Sequence, residues 1–354
     1  MKIKGPACLG FVLALMVSFS AYGETPDTTP HFFDPEGNAL ERFEPVWTAL
    51  YKQYGQFTPD RILIRVTNAN FSKFDVRSNT IMIKAAHYKQ KWRAMEIVAH
   101  ETVHLANHNL TNGHSLRNRF RFIDEGYASV FGKRLFGEDA RYKQDVLVIA
   151  ADQQRKDNVR LELVQDWKKY WGDWREDRRT LTNYAYPVGA SFIYYLEDVY
   201  GEKEPLRFMS ALGRTGNFND ASYLAFDVTG RQIEAGWITY MKNVRIAPAG
   251  PIRIVRMEPP NGATGVSRNR DELLVEFDTE MMREICVGTD SCDEICYSNA
   301  YWKSSKVLAI KLPKRLQSNE TYSLSLGILE RCRLRSRGLV DLPVTQWNFK
   351  TSQQ

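Results

Sequence analysis

The chain predicts an α+β fold followed by an all-β sandwich, and three observations predict it. Short runs of alternating, β-branched residues stand before a long series of amphipathic segments, and short strand-like runs separated by turn residues fill the last hundred positions. Residues 1–23 come first: Lys2 and Lys4, an apolar stretch from Ala7 to Val17, and the small-residue flank Ala21-Tyr22-Gly23. This pattern predicts a secretory signal peptide and export to the periplasm or beyond. The apolar stretch is too short to span a bilayer, and no later segment reaches the roughly 20 apolar residues that a spanning helix needs.

Residues 24–246 form the mixed region. Arg61 to Thr67 and Thr80 to Lys84 read as strands; amphipathic periodicity then predicts helices near 91–109, 117–137, 142–172, 184–200 and 203–213. A Pro/Gly linker, Ala247-Pro248-Ala249-Gly250-Pro251, opens the second region, 247–354. There Glu272 to Phe277, Val307 to Lys311, Tyr322 to Leu326 and Trp347 to Lys350 read as strands of a β-sandwich.

Charge excludes little. Forty-eight basic and 42 acidic residues give +6; without Lys2 and Lys4 the balance is 46 to 42, or +4. A balance this near neutral does not demand nucleic acid, whose binding shows as a concentrated basic face, so nucleic acid is not an expected partner. The cysteines beyond residue 23 are Cys286, Cys292, Cys296 and Cys332. In an exported chain they predict two disulfides, with three pairings allowed. Their spacing lacks the C-x-x-C hooks of a thiolate zinc site.

The segment that names a chemistry is His100-Glu101-Thr102-Val103-His104. On a helix the two imidazoles lie ~40° apart around the axis and ~6 Å along it, so both can reach one metal ion. Glu101 projects to the same side. In such an arrangement zinc activates a water and the intervening carboxylate takes its proton. A catalytic zinc takes three protein ligands and keeps one position for water. His108 lies ~12 Å along the axis from His100 and cannot share the ion. His114, in a predicted loop, is within reach. Glu125 is the better candidate: its helix face carries Ala128, Ser129 and Gly132, small enough for close approach to the His-bearing helix. Asp124 points ~100° away from it and reads as a supporting group.

With Glu125-Gly126-Tyr127-Ala128-Ser129 added to the first motif, the chain resembles the gluzincin metallopeptidases, particularly the aminopeptidase N family and its smaller bacterial relatives. Tyr186-Pro187-Val188-Gly189-Ala190, with Leu196 and Gly201, is similar to their Y-x-x-G helix, and Phe226, Gly230, Trp237 and Tyr240 resemble the end of their peptidase domain. The resemblance covers roughly residues 60–242. It implies that His100, His104 and Glu125 hold one Zn2+, that Glu101 is the general base and that Tyr186 donates its hydroxyl to the oxyanion, with Tyr184 as a rival. It implies a peptide or protein substrate. Aminopeptidase N enzymes carry a G-x-M-E-N segment before the zinc helix; here Val76 to Gln90 contains no Asp or Glu, which favours an endopeptidase over an aminopeptidase. A catalytically silent binding protein is the alternative of another class. The segment Pro259 to Val266, with Val275-Glu276-Phe277, Met281 and Trp347 to Thr351, resembles bacterial Ig-like domains, which implies a spacer or adhesive module. Trp167, Trp171 and Trp174 read as a core stripe. Arg117, Arg119 and Arg121 read as a solvated loop, and Arg331, Arg333, Arg335 and Arg337 as an exposed charged edge that discourages aggregation, with attachment to an anionic envelope surface as the alternative.

Overall fold

A computed structural model describes residues 29–69, 72–161, 182–284, 287–289, 299–312, 314–329 and 332–353. The first region opens on a short strand, β1 (Phe32–Phe33), and a helix, α1 (Glu44–Tyr54), which starts with Pro45 at a position where the missing N–H costs nothing. Strands β2 (Ile62–Thr67), β3 (Lys73–Asp75) and β4 (Thr80–Lys84) follow. The sheet order is β1-β2-β4-β3, with β2 parallel to β4 and β3 antiparallel to it. The edge strand beside β4 is therefore β3, which lies just before the acid-free stretch Val76 to Gln90. That edge does carry an acid, Asp75.

A one-turn helix, α2 (Ala85–Tyr88), leads into the long α3 (Lys91–Leu110), which contains neither Gly nor Pro and is buried along most of its length. It ends where Asn112 and Gly113 take positive φ. Then come α4 (Arg121–Leu135), α5 (Asp139–Asp157), α6 (Thr182–Tyr200), α7 (Glu204–Thr215), α8 (Phe218–Phe226) and α9 (Gly230–Asn243). The helix expected over 142–172 ends at Asp157, where Asn158 turns left-handed (φ 48°). The Trp167–Trp174 stripe lies outside the described residues. One hydrophobic cluster joins the sheet to these helices, with Ile64 and Ile83 on one side and Phe122, Phe192 and Trp237 on the other.

The second region has its own core. Strands β5 (Ile254–Glu258), β7 (Glu272–Phe277), β9 (Ala300–Trp302) and β10 (Val307–Lys311) form a sheet in the order β5-β7-β10-β9. Strands β6 (Ala263–Val266), β8 (Val287–Thr289), β11 (Thr321–Leu326) and β14 (Thr345–Thr351) form another, in the order β6-β14-β11-β8. A small pair, β12 (Ile328–Leu329) and β13 (Cys332–Arg333), completes the described strands. Alternate residues of both sheets, among them Val275, Ile310, Leu324 and Phe349, share a single cluster around Trp347, whose indole N–H donates to the Pro259 carbonyl (2.9 Å). Cys286, Cys292 and Cys296 lie outside the described residues, as does the side chain of Cys332.

The two cores meet at α5. The Arg283 N–H donates to Asp145 (2.8 Å), and the Arg283 guanidinium pairs with Glu138. Arg141 donates to the Met281 carbonyl (3.2 Å) and lies 5.0 Å over the Trp302 ring. Arg337 pairs with Glu280 (2.7 Å) and Asp145 (3.4 Å), while Arg333 and Arg335 both bind Asp341. These three arginines are thus committed to acids within the protein. Arg331 lies outside the described residues; the other three are not the solvated edge expected from sequence, and they support no attachment to an envelope surface.

Candidate metal centre

The site forms where α3, α4 and α6 come together beneath the edge of the first sheet. On α3 the spacing of His100 and His104 places both rings on one side, with their Nε2 atoms 3.1 Å apart. Glu125, in the second turn of α4, brings Oε2 to 3.1 Å from His100 Nε2 and 3.3 Å from His104 Nε2. Three donor atoms with edges of 3.1, 3.1 and 3.3 Å approach one face of a tetrahedron, whose edge is ~3.4 Å for ligand bonds of ~2.1 Å. Two neutral imidazole nitrogens and a carboxylate are also the donor set that zinc accepts. Among the described residues this is the one group of three side chains suited to hold a metal ion.

The supporting groups settle which nitrogen faces the centre. Asp124 is fully buried and accepts a hydrogen bond from His104 Nδ1 (2.7 Å), which turns Nε2 towards Glu125. Asn107 donates to the other Asp124 oxygen (2.8 Å), and Tyr54 donates to Asn107 (2.6 Å). Arg121 clamps both acids, to Asp124 at 3.1 Å and Glu125 at 2.7 Å. Arg121 is therefore the first residue of α4 and part of the site, not a member of a solvated loop. Its i, i+4 relation to Glu125 was a legible signal. Phe74 of β3 stacks on the His104 ring (4.6 Å between centroids), a contact that nothing in the local sequence announced.

Charge follows from these contacts. Burial pushes the Glu125 carboxyl up, but His104, His100 and Arg121 outweigh it and hold the group well below the usual range. Burial likewise opposes a charged His104, yet Asp124 and Glu125 prevail and raise it to about 10. Glu101 is nearly buried, and desolvation lifts its carboxyl above the ordinary value, partly offset by the two histidines. Tyr186 on α6 hydrogen-bonds to Glu125, and burial followed by the charge of that carboxylate raises its phenol well above the usual value. Tyr184, the rival, has its side chain outside the described residues.

Backbone contact accounts for Tyr186 being there. A Cβ at Gly189 would overlap the Phe122 carbonyl and one at Gly126 would overlap the Gly189 backbone, so α4 and α6 touch through two glycines. The remaining candidates sit elsewhere. His108 packs against Gly113; His114 lies against Gly216 and its Nδ1 is 3.2 Å from the Leu212 carbonyl. Ser129 bonds the Tyr142 hydroxyl.

Solved structures similar to this chain include the M1 zinc metallopeptidase from Deinococcus radiodurans, with 13% identity and a TM-score of 0.38 over 64% of this chain and 48% of that one. A variant of that enzyme bound to a Tyr-Ser-Ala substrate gives 12% and 0.35 over the same shares. The surface layer protein SbsC, domains 1-6, gives 10% and 0.19 over 89% of this chain and 45% of that one. The chain spans about half the length of the metallopeptidases it matches. No family model and no curated protein matches it.

Proposed function

We propose that the protein is a zinc-dependent peptidase acting as an endopeptidase, and the observation that carries this reading is the triangle of His100, His104 and Glu125 donor atoms with Glu101 one residue along the same helix. His100, His104 and Glu125 would hold the ion. Zinc, when bound, supplies a Lewis acid that lowers the pKa of water and polarises a peptide carbonyl. Glu101 takes the proton of the attacking water and returns it to the leaving amine; its raised pKa brings it closer to the value that two-way transfer favours. Tyr186, whose phenol stays protonated, donates to the carbonyl oxygen as it gains charge. The substrate lies extended along the β3 edge, next to Phe74, where main-chain groups can add it as a further strand.

The endopeptidase reading rests on the acids. Asp124 is engaged by His104, Asn107 and Arg121, and Glu125 by both histidines and Arg121. Asp75 on the edge strand accepts from the Arg77 N–H (3.0 Å) and the Ser78 hydroxyl (2.9 Å). Asp124 and Glu125, both buried and both paired with Arg121, are thereby committed within the site and not offered to a substrate ammonium. Within this reading residues 24–246 form the catalytic domain, 247–354 an Ig-like module, and 1–23 an export signal; a mature chain beginning at Glu24 outside the cytoplasm would support the last.

The decisive experiment pairs metal analysis with cleavage of N-blocked peptides. The parent should bind one zinc and cut internally, and Glu101→Gln should keep the zinc and lose about 10²–10⁴-fold in kcat. Release of single N-terminal residues with no cut in blocked peptides would assign an aminopeptidase instead, and a parent that cuts nothing would favour a binding protein.

A further inference from the structure

Beside the site lies a strongly cationic surface that the local order of the chain hides. Residues 61–93 contain eight Lys and Arg and one acid, Asp75. The sheet arranges several of them. Ile64, Ile81 and Phe74 form a cross-strand row towards the core, so the next row, Arg65, Met82 and Lys73, faces outwards. Arg65 and Lys73 are exposed, and Asp75, two residues beyond Lys73 on β3, is the one acid of this stretch and shares their face, where it accepts from the Arg77 N–H and the Ser78 hydroxyl. Lys84, two residues beyond Met82, shares that face, and Lys89 and Lys91 are exposed where β4 passes through α2 into the zinc helix. Trp92, 51% exposed, stands among them.

This row ends on β3, the edge strand, whose next residue Phe74 covers the His104 ring. A peptide added along β3 extends the cross-strand rows by one position. The residue opposite Lys73 then meets an ammonium group, with the Arg65 guanidinium two strands behind it. Resting on the peptidase reading above, we propose that this surface selects acidic polypeptide segments, with Asp or Glu lying against Lys73 on the outer side of the sheet. Exposed charges act here through their sum and through steering of the encounter, so the selectivity should be steep in salt.

Three N-blocked, internally quenched peptides with one scissile segment and Glu-rich, Gln-rich or Lys-rich flanks test this with the zinc-loaded full chain. The acidic peptide should exceed the neutral one in kcat/KM by about tenfold at low ionic strength, and the ratio should approach one near 1 M salt, where screening reaches ~3 Å. Lys73→Glu should invert the ratio, whereas a merely structural role for Lys73 would lower all three rates together. Anisotropy of a labelled acidic peptide on Glu101→Gln gives the same comparison without turnover, and Lys73→Glu in that background should weaken binding. Equal rates and equal binding across the series overturn this inference and leave the peptidase reading standing. Absence of cleavage in every series overturns the peptidase reading and this inference with it.

Discussion

Asp124 carries more of the site than its position beside a ligand suggests. Its one carboxylate orients His104, anchors Asn107 and receives Arg121, so removing its charge loosens three elements at once. Asp124→Asn should lower zinc affinity by about 10–100-fold, measurable by competition with a chelator of known affinity. The same carboxylate makes the metal-free protein sensitive to alkali. The His104 pKa is raised to about 10 from an ordinary 6.5, so the stability it contributes is complete below pH 6.5 and is lost as pH rises towards 10. Urea midpoints of chelator-treated protein should therefore fall across that window, and an unchanged midpoint would contradict the charge assignment. Zinc must displace the same proton from Nε2, so zinc binding should strengthen over the pH range in which the metal-free fold weakens.

At the scale of elements, the contact of α4 with α6 decides whether Tyr186 reaches Glu125. Both glycines at the crossing lack room for a Cβ, and Gly189 faces the Phe122 carbonyl, a backbone atom that cannot rotate aside. Gly189→Ala should cost about 1–3 kcal/mol or more in denaturant unfolding, as overpacking does. It should also lower kcat more than it raises KM, because the shift falls on Tyr186 rather than on the β3 edge. The inner strands and part of the helical series were legible in advance: Thr80–Lys84, Glu272–Phe277 and Val307–Lys311 match their alternating runs residue for residue, and α3 its apolar period, whereas α1, α8 and α9 were not expected. The short edge strand β3 was not. Three residues carry too little periodicity to announce a strand, and β3 exists because β4 offers it an antiparallel partner.

Across the whole molecule, the β region contacts the helical one through α5. Asp145 of α5 lies at the centre of that contact: it is 5% exposed, receives the Arg283 N–H and faces the Arg337 guanidinium. The network continues inwards, since Glu138, the partner of Arg283, lies 4.0 Å from Lys133, and Lys133 contacts Glu96, one turn before His100 on α3. Removing the Asp145 carboxylate leaves the Arg283 N–H without its acceptor. Asp145→Ala should cost about 1–3 kcal/mol at this junction and separate thermal unfolding into two transitions, whereas a single unshifted transition would mean that the contact couples nothing.

The sequence by itself determined the chemistry on offer and the grammar of the two regions. Ligand spacing within a helix is a local property, so His100, Glu101 and His104 could be read from five residues, and Glu125 from the small-residue face around it. Only the tertiary structure decided what surrounds them. Phe74, Asn107 and Tyr54 reach the site from separate elements, Arg333, Arg335 and Arg337 find acids at home, and the basic row appears only when strands align Arg65 with Lys73. Those relations are set by packing between segments distant in the chain, which a period or a motif within one segment does not encode.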